Sequence, residues 1–64
     1  MIKINGKNVI CEGQSIAEYL KTTDYNLSHI AVEINGEILP KSQYENTIIR
    51  DGDEIEIVCF VGGG

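Results

Sequence analysis

Residues 54–60, Glu-Ile-Glu-Ile-Val-Cys-Phe, form the clearest strand pattern in this chain. Alternate side chains of a strand point to opposite faces, so Ile55, Ile57 and Cys59 share one face. Glu54, Glu56, Val58 and Phe60 share the other. If the isoleucines face a core, Val58 and Phe60 point outward. An acidic turn at residues 51–53 leads into the strand, and residues 61–64 follow it.

Two Asn-Gly pairs upstream of this strand indicate hairpins, because both residues of such a pair tolerate the positive φ of a tight turn. Asn5-Gly6 and Asn35-Gly36 each stand between short stretches of alternating polarity. The four strands that these turns join are predicted at residues 2–5, 7–11, 30–34 and 38–39. Pro40 stops the last of them, since proline cannot donate to a sheet.

The segment Ser15-Ile16-Ala17-Glu18 predicts a capped helix start, because the serine and glutamate side chains can each satisfy the other's backbone N–H. The helix ends near Lys21. Residues 25–29, with His29, form a polar connection, residues 41–47 a turn or one 3₁₀ loop, and residues 48–49 a further short pairing. The resulting order, β-β-α-β-β-β, predicts an α+β fold of the β-grasp, ubiquitin-like class. Its mixed four- to five-stranded sheet packs on one main helix, with the first and last strands parallel and central.

Composition restricts the function. The chain has 64 residues and a formal net charge of −5, with five basic residues against ten acidic ones. That length supports one domain with a thin core, so an autonomous enzyme is disfavoured. We expect a β-grasp domain at residues 1–60 and a flexible glycine tail at residues 61–64. Few basic residues argue against nucleic-acid and membrane partners. A cytoplasmic location is the default expectation, because no signal peptide or spanning segment is evident.

The two cysteines and the histidine predict neither a disulfide nor a metal site. Cys11 and Cys59 have no metal-ligand spacing and are expected to be buried small hydrophobes. In a β-grasp sheet they lie two strand spacings apart, roughly 9–10 Å, which is too far for a disulfide. His29 has no second metal ligand nearby in the sequence and is expected in a loop.

The outer face of the last strand is the candidate docking surface. Val58 and Phe60, joined by Ala31 from the neighbouring strand and followed by Val61 and Gly62, form an apolar patch of the kind that binds proteins. The alternative is that the loop at residues 40–44 covers Val58 and Phe60. Glu54 and Glu56, with Asp51 and Asp53, can steer a basic partner, although each is also explained as an ordinary solvated residue.

The last three residues are all glycine. Without a Cβ, such a run is thin and suits a peptide that threads a narrow channel and presents a carboxylate to another protein. A disordered end explains the glycines equally well on composition alone.

Taken together, these residues resemble the ThiS family of sulfur carriers over essentially the whole chain. The resemblance rests on Asn5, the helix start at Ser15, residues 31–36 (Ala-Val-Glu-Ile-Asn-Gly), residues 38–44 (Ile-Leu-Pro-Lys-Ser-Gln-Tyr), the Asp51-Gly52-Asp53 turn and the final Gly63-Gly64. It is the combination that is specific, and no one of these motifs suffices.

The resemblance implies a protein co-substrate in thiamin biosynthesis and not an enzyme. An E1-like adenylating enzyme of the ThiF type would activate the Gly64 carboxylate with ATP, with Gly63 as the second threading glycine. A persulfide sulfur donor would convert the acyl-adenylate to a thiocarboxylate. A thiazole synthase of the ThiG type would take the sulfur. The carrier itself would bind no cofactor and no metal.

Three alternatives stay open at this point. A molybdopterin-synthase small subunit shares the fold and the chemistry. A ubiquitin-like modifier would form an isopeptide bond to a lysine. A plain interaction domain would leave its glycines idle.

Overall fold

The computed structural model describes residues 1–60. Its strands and its α-helix, in chain order, are β1 (Ile2–Ile4), β2 (Lys7–Val9), α1 (Ile16–Lys21), β3 (Ile30–Ile34), β4 (Glu37–Leu39) and β5 (Glu54–Cys59). Two 3₁₀ turns, Leu27–His29 and Lys41–Gln43, precede β3 and follow β4. The predicted order of elements is therefore confirmed.

The start of α1 forms as the sequence predicts. The Ser15 N–H donates to Glu18 Oε1 at 2.8 Å, and the Glu18 N–H donates to Ser15 Oγ at 3.0 Å. These two bonds satisfy backbone donors that the first turn of a helix leaves free. Because the helix has only six residues, it depends on packing, and Ile16 and Leu20 supply that packing as buried residues of the core.

The five strands form one mixed sheet in the order β2-β1-β5-β3-β4. The first and last strands lie side by side and parallel, with Lys3 opposite Glu54 and Ile4 opposite Ile55. β3 flanks β5 on the other side in antiparallel register, from Ile30 opposite Cys59 to Ile34 opposite Ile55. This is the predicted β-grasp arrangement.

Both Asn-Gly turns adopt the backbone that their sequences predict. Asn5 and Asn35 have φ values of 52° and 53°, and the glycine after each is also at positive φ. Positive φ at both central residues is the signature of the tight hairpin turn whose twist matches the flanking strands. The turns therefore fix the registers of the β1–β2 and β3–β4 hairpins.

One apolar core lies between the sheet and the helix. Its members come from every strand except β2 and β4, from α1 and from the segments between elements: Ile2, Ile4, Cys11, Ile16, Leu20, Ile30, Val32, Tyr44, Ile49, Ile55 and Ile57. Tyr44 closes the core from the segment after the second 3₁₀ turn. Burial of its ring raises the pKa of its hydroxyl, because the charged form would lose hydration.

Several predicted boundaries are wrong by one or two residues. β2 ends at Val9 and not at Cys11, and β5 ends at Cys59 and not at Phe60. The predicted pairing at residues 48–49 is a single bridge between Ser15 and Ile48. His29 closes a 3₁₀ turn whose start is capped by the Asn26 side chain, which accepts from the Ser28 N–H at 2.9 Å.

The prediction that both cysteines are buried is half wrong. Cys11 is buried and Cys59 is exposed, and both thiols are free. Cys59 continues the inward alternation of Ile55 and Ile57, but β1 pairs with β5 no further than Ile55. β5 therefore runs past its neighbour on that flank, and its last inward side chain is left uncovered. The expected absence of a Cys11–Cys59 bond agrees with the free thiols.

Candidate functional site

The outer face of β5 carries the apolar patch that the sequence predicts. Val58 and Phe60 are exposed to 49% and 48%, so the 40–44 loop does not cover them. Ala31 of β3 lies directly opposite Val58 and is half-buried. Three of the predicted docking residues are thus brought together on one side of the sheet.

The register adds two residues that sequence reasoning missed. Glu33 lies opposite Glu56 on one side and opposite Ile38 of β4 on the other. Ile38 is 73% exposed, although it is a large apolar residue. The position of Ile38 opposite Glu33 could have been predicted from the sequence, because the Asn35-Gly36 turn sets that pairing. The pairing with Glu56 depends instead on the position of a strand more than twenty residues away.

Three glutamates lie on the same face, nearer the start of β5. Glu33 and Glu56 are direct cross-strand neighbours, and like charges placed opposite each other destabilise a sheet. Glu54 is the next outward residue of β5 and lies opposite Lys3 of β1. An arginine or lysine from a partner would relieve the repulsion between Glu33 and Glu56, so this half of the face favours a basic surface.

We call this surface the docking face and define it by seven residues, six outward ones of β3, β4 and β5 and the residue directly after β5: Ala31, Glu33, Ile38, Glu54, Glu56, Val58 and Phe60. Ala31, Val58 and Phe60 form its apolar half, towards the end of β5, and the three glutamates form its acidic half, towards the start. Ile38 lies beside Glu33 on β4, at the edge of the acidic half. An apolar patch beside a charged region is the composition expected of a reversible protein interface.

The end of β5 is hydrogen-bonded on both flanks, directly before residues 61–64. The Phe60 N–H donates to the His29 carbonyl at 2.8 Å, next to the pairing of Ile30 with Cys59. On the other flank, the Asn5 side-chain oxygen accepts from the Ile57 N–H at 2.8 Å. The other predicted site residues, Val61, Gly62, Gly63 and Gly64, lie outside the described residues, so their roles stay predictions.

Residues 1–60 contain no candidate metal site and one buried thiol. Within that range no three His, Cys, Asp or Glu side chains are placed to hold a metal ion. Burial raises the pKa of the Cys11 thiol, with a smaller contribution from Glu12, so this thiol is a weak nucleophile. The described part of the chain also contains no helix long and apolar enough to cross a membrane.

Comparisons with known proteins agree with this geometry. The family model described as "ThiS family" matches residues 1–64. The uncharacterized protein ycf40 of Porphyra purpurea is 42% identical over 64 residues, covering 98% of this chain and 90% of the relative. The sulfur carrier protein ThiS of Bacillus subtilis (strain 168) is 38% identical over 66 aligned positions, covering all of both chains. A thiazole synthase of Paramagnetospirillum magneticum is 57% identical over 35 residues, covering 55% of this chain but 11% of that protein.

A solved structure extends the likeness to the fold. The crystal structure of a thiamine biosynthesis protein (ThiS) from Geobacter metallireducens superimposes with a TM-score of 0.80 at 31% identity. The match covers 98% of this chain and 97% of that one. Because the family model matches the whole chain and the curated and solved relatives agree with it, the chain belongs to the ThiS family.

Proposed function

We propose that this protein is a sulfur carrier for thiamin biosynthesis and acts as a co-substrate of other enzymes. The observation that carries the proposal is the placement of the docking face directly before residues 61–64. Val58 and Phe60 are half-exposed, and the bond from the Phe60 N–H to the His29 carbonyl fixes the strand from which those residues leave. A partner that binds this face lies next to the point where residues 61–64 begin.

The chemistry would take place at the Gly64 carboxylate. A carboxylate is a poor electrophile, so an E1-like adenylating enzyme would first let its oxygen attack the α-phosphorus of ATP and release pyrophosphate. A persulfide sulfur then attacks the acyl carbon and expels AMP. Cleavage of the resulting acyl disulfide by a thiol leaves the thiocarboxylate. Its sulfur is a nucleophile that a thiazole synthase can use.

Each part of the carrier has a separate task in this scheme. The core and sheet hold the docking face rigid. The acidic half of the face, with Glu54 and Glu56, attracts a basic partner, and the apolar half, with Val58 and Phe60, supplies buried contact area. Gly63 and Gly64 enter the partner's active site, where a side chain would widen the required channel. Val61 and Gly62 connect the face to that pair.

The test is the intact mass of the carrier after incubation with an E1-like adenylating enzyme, ATP and a persulfide-generating sulfur source. Exchange of one oxygen for sulfur nearly equals one oxidation in mass, and Met1, Cys11 and Cys59 can each oxidise. Fragmentation must therefore localise the change to Gly64. Reactions without ATP and reactions on a variant that lacks Gly64 are the controls.

An ATP-dependent mass change at Gly64 supports a sulfur carrier, and turnover with a thiazole synthase then supports the thiamin assignment. Absence of the change with an enzyme that converts another ThiS protein contradicts the proposal. Lysine-linked conjugates in its place would indicate a protein modifier.

A further inference from the structure

A groove lies on the opposite side of the molecule from the docking face. Its first lobe, of about 250 Å³, lies between α1 and the segment after the second 3₁₀ turn and is lined by Ala17, Leu27, Lys41, Ser42, Tyr44 and Glu45. Its second lobe, of about 310 Å³, lies between α1 and the following connection and shares Ala17, Leu27 and Glu45 with the first. The lobes adjoin, and we call them together the helix-side groove.

The floor of the helix-side groove is apolar and anchored in the core. Leu20 and Tyr44 belong to the buried cluster, and Ala17 and Tyr25 pack against it. Leu27 stands at the junction of the lobes with 45% of its surface exposed. A leucine in that position is available to contact an apolar side chain from outside, and burying such surface is favourable by ~25 cal/mol per Å².

Charge distinguishes this groove from the rest of the surface. Lys21 lines one lobe and Lys41 the other, so the groove holds two of only five basic residues in a chain of net charge −5. Neither ammonium forms an ion pair within residues 1–60. Glu45 is the one acidic residue in the lining, which leaves a local excess of one positive charge.

We propose that the helix-side groove is a second docking site and that its occupant is a protein segment carrying a bulky apolar side chain beside carboxylates. The apolar floor accepts the side chain, and Lys21 and Lys41 pair with the carboxylates at the rim. The overall negative charge disfavours acidic segments elsewhere on the molecule, so the two lysines select both the place and the partner. Two lysines are too few to bind nucleic acid by phosphate contacts.

The position of the groove allows a second partner to bind while the docking face is occupied. The buried residues of α1 and the inward residues of β5 belong to the same core, whereas the docking face consists of outward residues on the other side of the sheet. One partner can therefore occupy each side. If the chain is a sulfur carrier as proposed above, a partner held in the groove would keep the carrier attached while the docking face passes from one enzyme to the next.

The test is an NMR titration of the full chain with two matched peptides, acetyl-Asp-Leu-Phe-Asp-amide and acetyl-Lys-Leu-Phe-Lys-amide. The acidic peptide is expected to produce saturable shifts at the backbone amides of Ala17, Leu27 and Glu45. The basic peptide is expected to leave those amides unshifted. Shifts by both peptides alike, or shifts confined to other surfaces, overturn the proposal.

A matched pair of double variants separates local from overall charge. K21Q/K41Q is expected to weaken binding of the acidic peptide about threefold to tenfold, since it removes two exposed ion pairs, each of which is weak by itself. K7Q/R50Q makes the same change in net charge away from the groove and is expected to leave the affinity within about twofold. Equal weakening in the two variants overturns the proposal.

Two readouts keep this inference distinct from the proposed function. Peptide binding is measured on the isolated carrier, without ATP or any enzyme, and thiocarboxylate formation is measured without peptide. If the acidic peptide does not bind but the thiocarboxylate forms, the second docking site is disproved and the sulfur-carrier proposal is unaffected. Repeating the titration with the adenylating enzyme bound should give the same affinity, and competition between the two would contradict binding on opposite sides.

Discussion

The two faces of β5 share one backbone but differ in burial. Ile55 and Ile57 on the inner face are 2% and 7% exposed and belong to the core, whereas Val58 and Phe60 on the outer face are 49% and 48% exposed. All four are large and apolar, so residue type alone does not separate a stabilising residue from a docking residue. Position in the alternation separates them, because the inner residues belong to the core that α1 also joins.

The largest expected effect on stability comes from truncating a buried side chain on the inner face of β5. Ile55→Ala removes buried methylene and methyl groups and leaves a cavity, which costs about 2–5 kcal/mol of unfolding free energy. For a domain of this length, that is a large share of the total stability. Urea denaturation followed by circular dichroism measures it. The matched variant Val58→Ala, on the outer face, is expected to lose less than about 1 kcal/mol, and equal losses would contradict the division of faces.

The two cysteines extend the comparison to reactivity. Cys59 is exposed and Cys11 is buried, and burial raises the pKa of the Cys11 thiol, so alkylation by iodoacetamide is expected to be at least about a hundredfold faster at Cys59. Cys11 must wait for local opening before it reacts. Peptide mapping over time gives both rates. Comparable rates in the native protein, with rates in urea as the reference, would show that Cys11 is not protected.

The same burial predicts a pH dependence of stability. The pKa values of Cys11, Tyr19 and Tyr44 are all raised in the folded protein, each mainly by burial. The unfolded state therefore loses these protons at lower pH than the folded state does. Stability is retained below the unfolded pKa of a thiol, about 8.5, and falls as pH rises above it. Unfolding free energies measured from pH 7 to pH 10.5 should decline, and Cys11→Ala should begin its decline at higher pH than the unsubstituted chain.

On the outer face, Phe60→Asp is the strongest expected disruption of docking. It places a carboxylate in the apolar half and is expected to weaken binding to the adenylating enzyme about tenfold or more, as the loss of a central apolar contact does. Urea denaturation should show stability within about 1 kcal/mol of the unsubstituted protein. Isothermal titration calorimetry measures the affinity. Unchanged binding and unchanged adenylation kinetics would show that this face is not the interface.

Charge reversal in the acidic half should have a smaller effect, and one that depends on salt. The double variant E54K/E56K is expected to slow association with the same enzyme about fivefold at low ionic strength, because it removes electrostatic steering. The deficit should shrink at high salt, where charges are screened. Stopped-flow association at two salt concentrations measures both. A deficit that is the same at both concentrations would point to lost contacts.

The parts of this molecule that the sequence predicts well are those whose causes are local. The capping box at Ser15 and Glu18 needs only two side chains three residues apart. The turn at Asn35 needs only a residue pair that tolerates positive φ. The outward position of Val58 and Phe60 follows from strand alternation once Ile55 and Ile57 are assigned to the core.

The parts that the sequence does not predict depend on where distant strands stop. Strand alternation places Cys59 on the inward face with Ile55 and Ile57. Its exposure follows from the end of the pairing between β1 and β5 at Ile55. Glu33 and Glu56 become neighbours only through the register of β3 with β5. The helix-side groove is likewise formed by three separate segments, and no one of them suggests a concave surface by itself.

The parallel pairing of β1 with β5 has a mechanical consequence. A force applied at Phe60 along the axis of β5 would pull against β1 on one side and β3 on the other at the same time. Backbone bonds such as those from the Lys3 N–H to the Asp53 carbonyl and from the Asn5 N–H to the Ile55 carbonyl lie across that axis. They are loaded together in shear and do not open one after another. The domain can therefore bear tension on its last strand without that strand being peeled from the sheet.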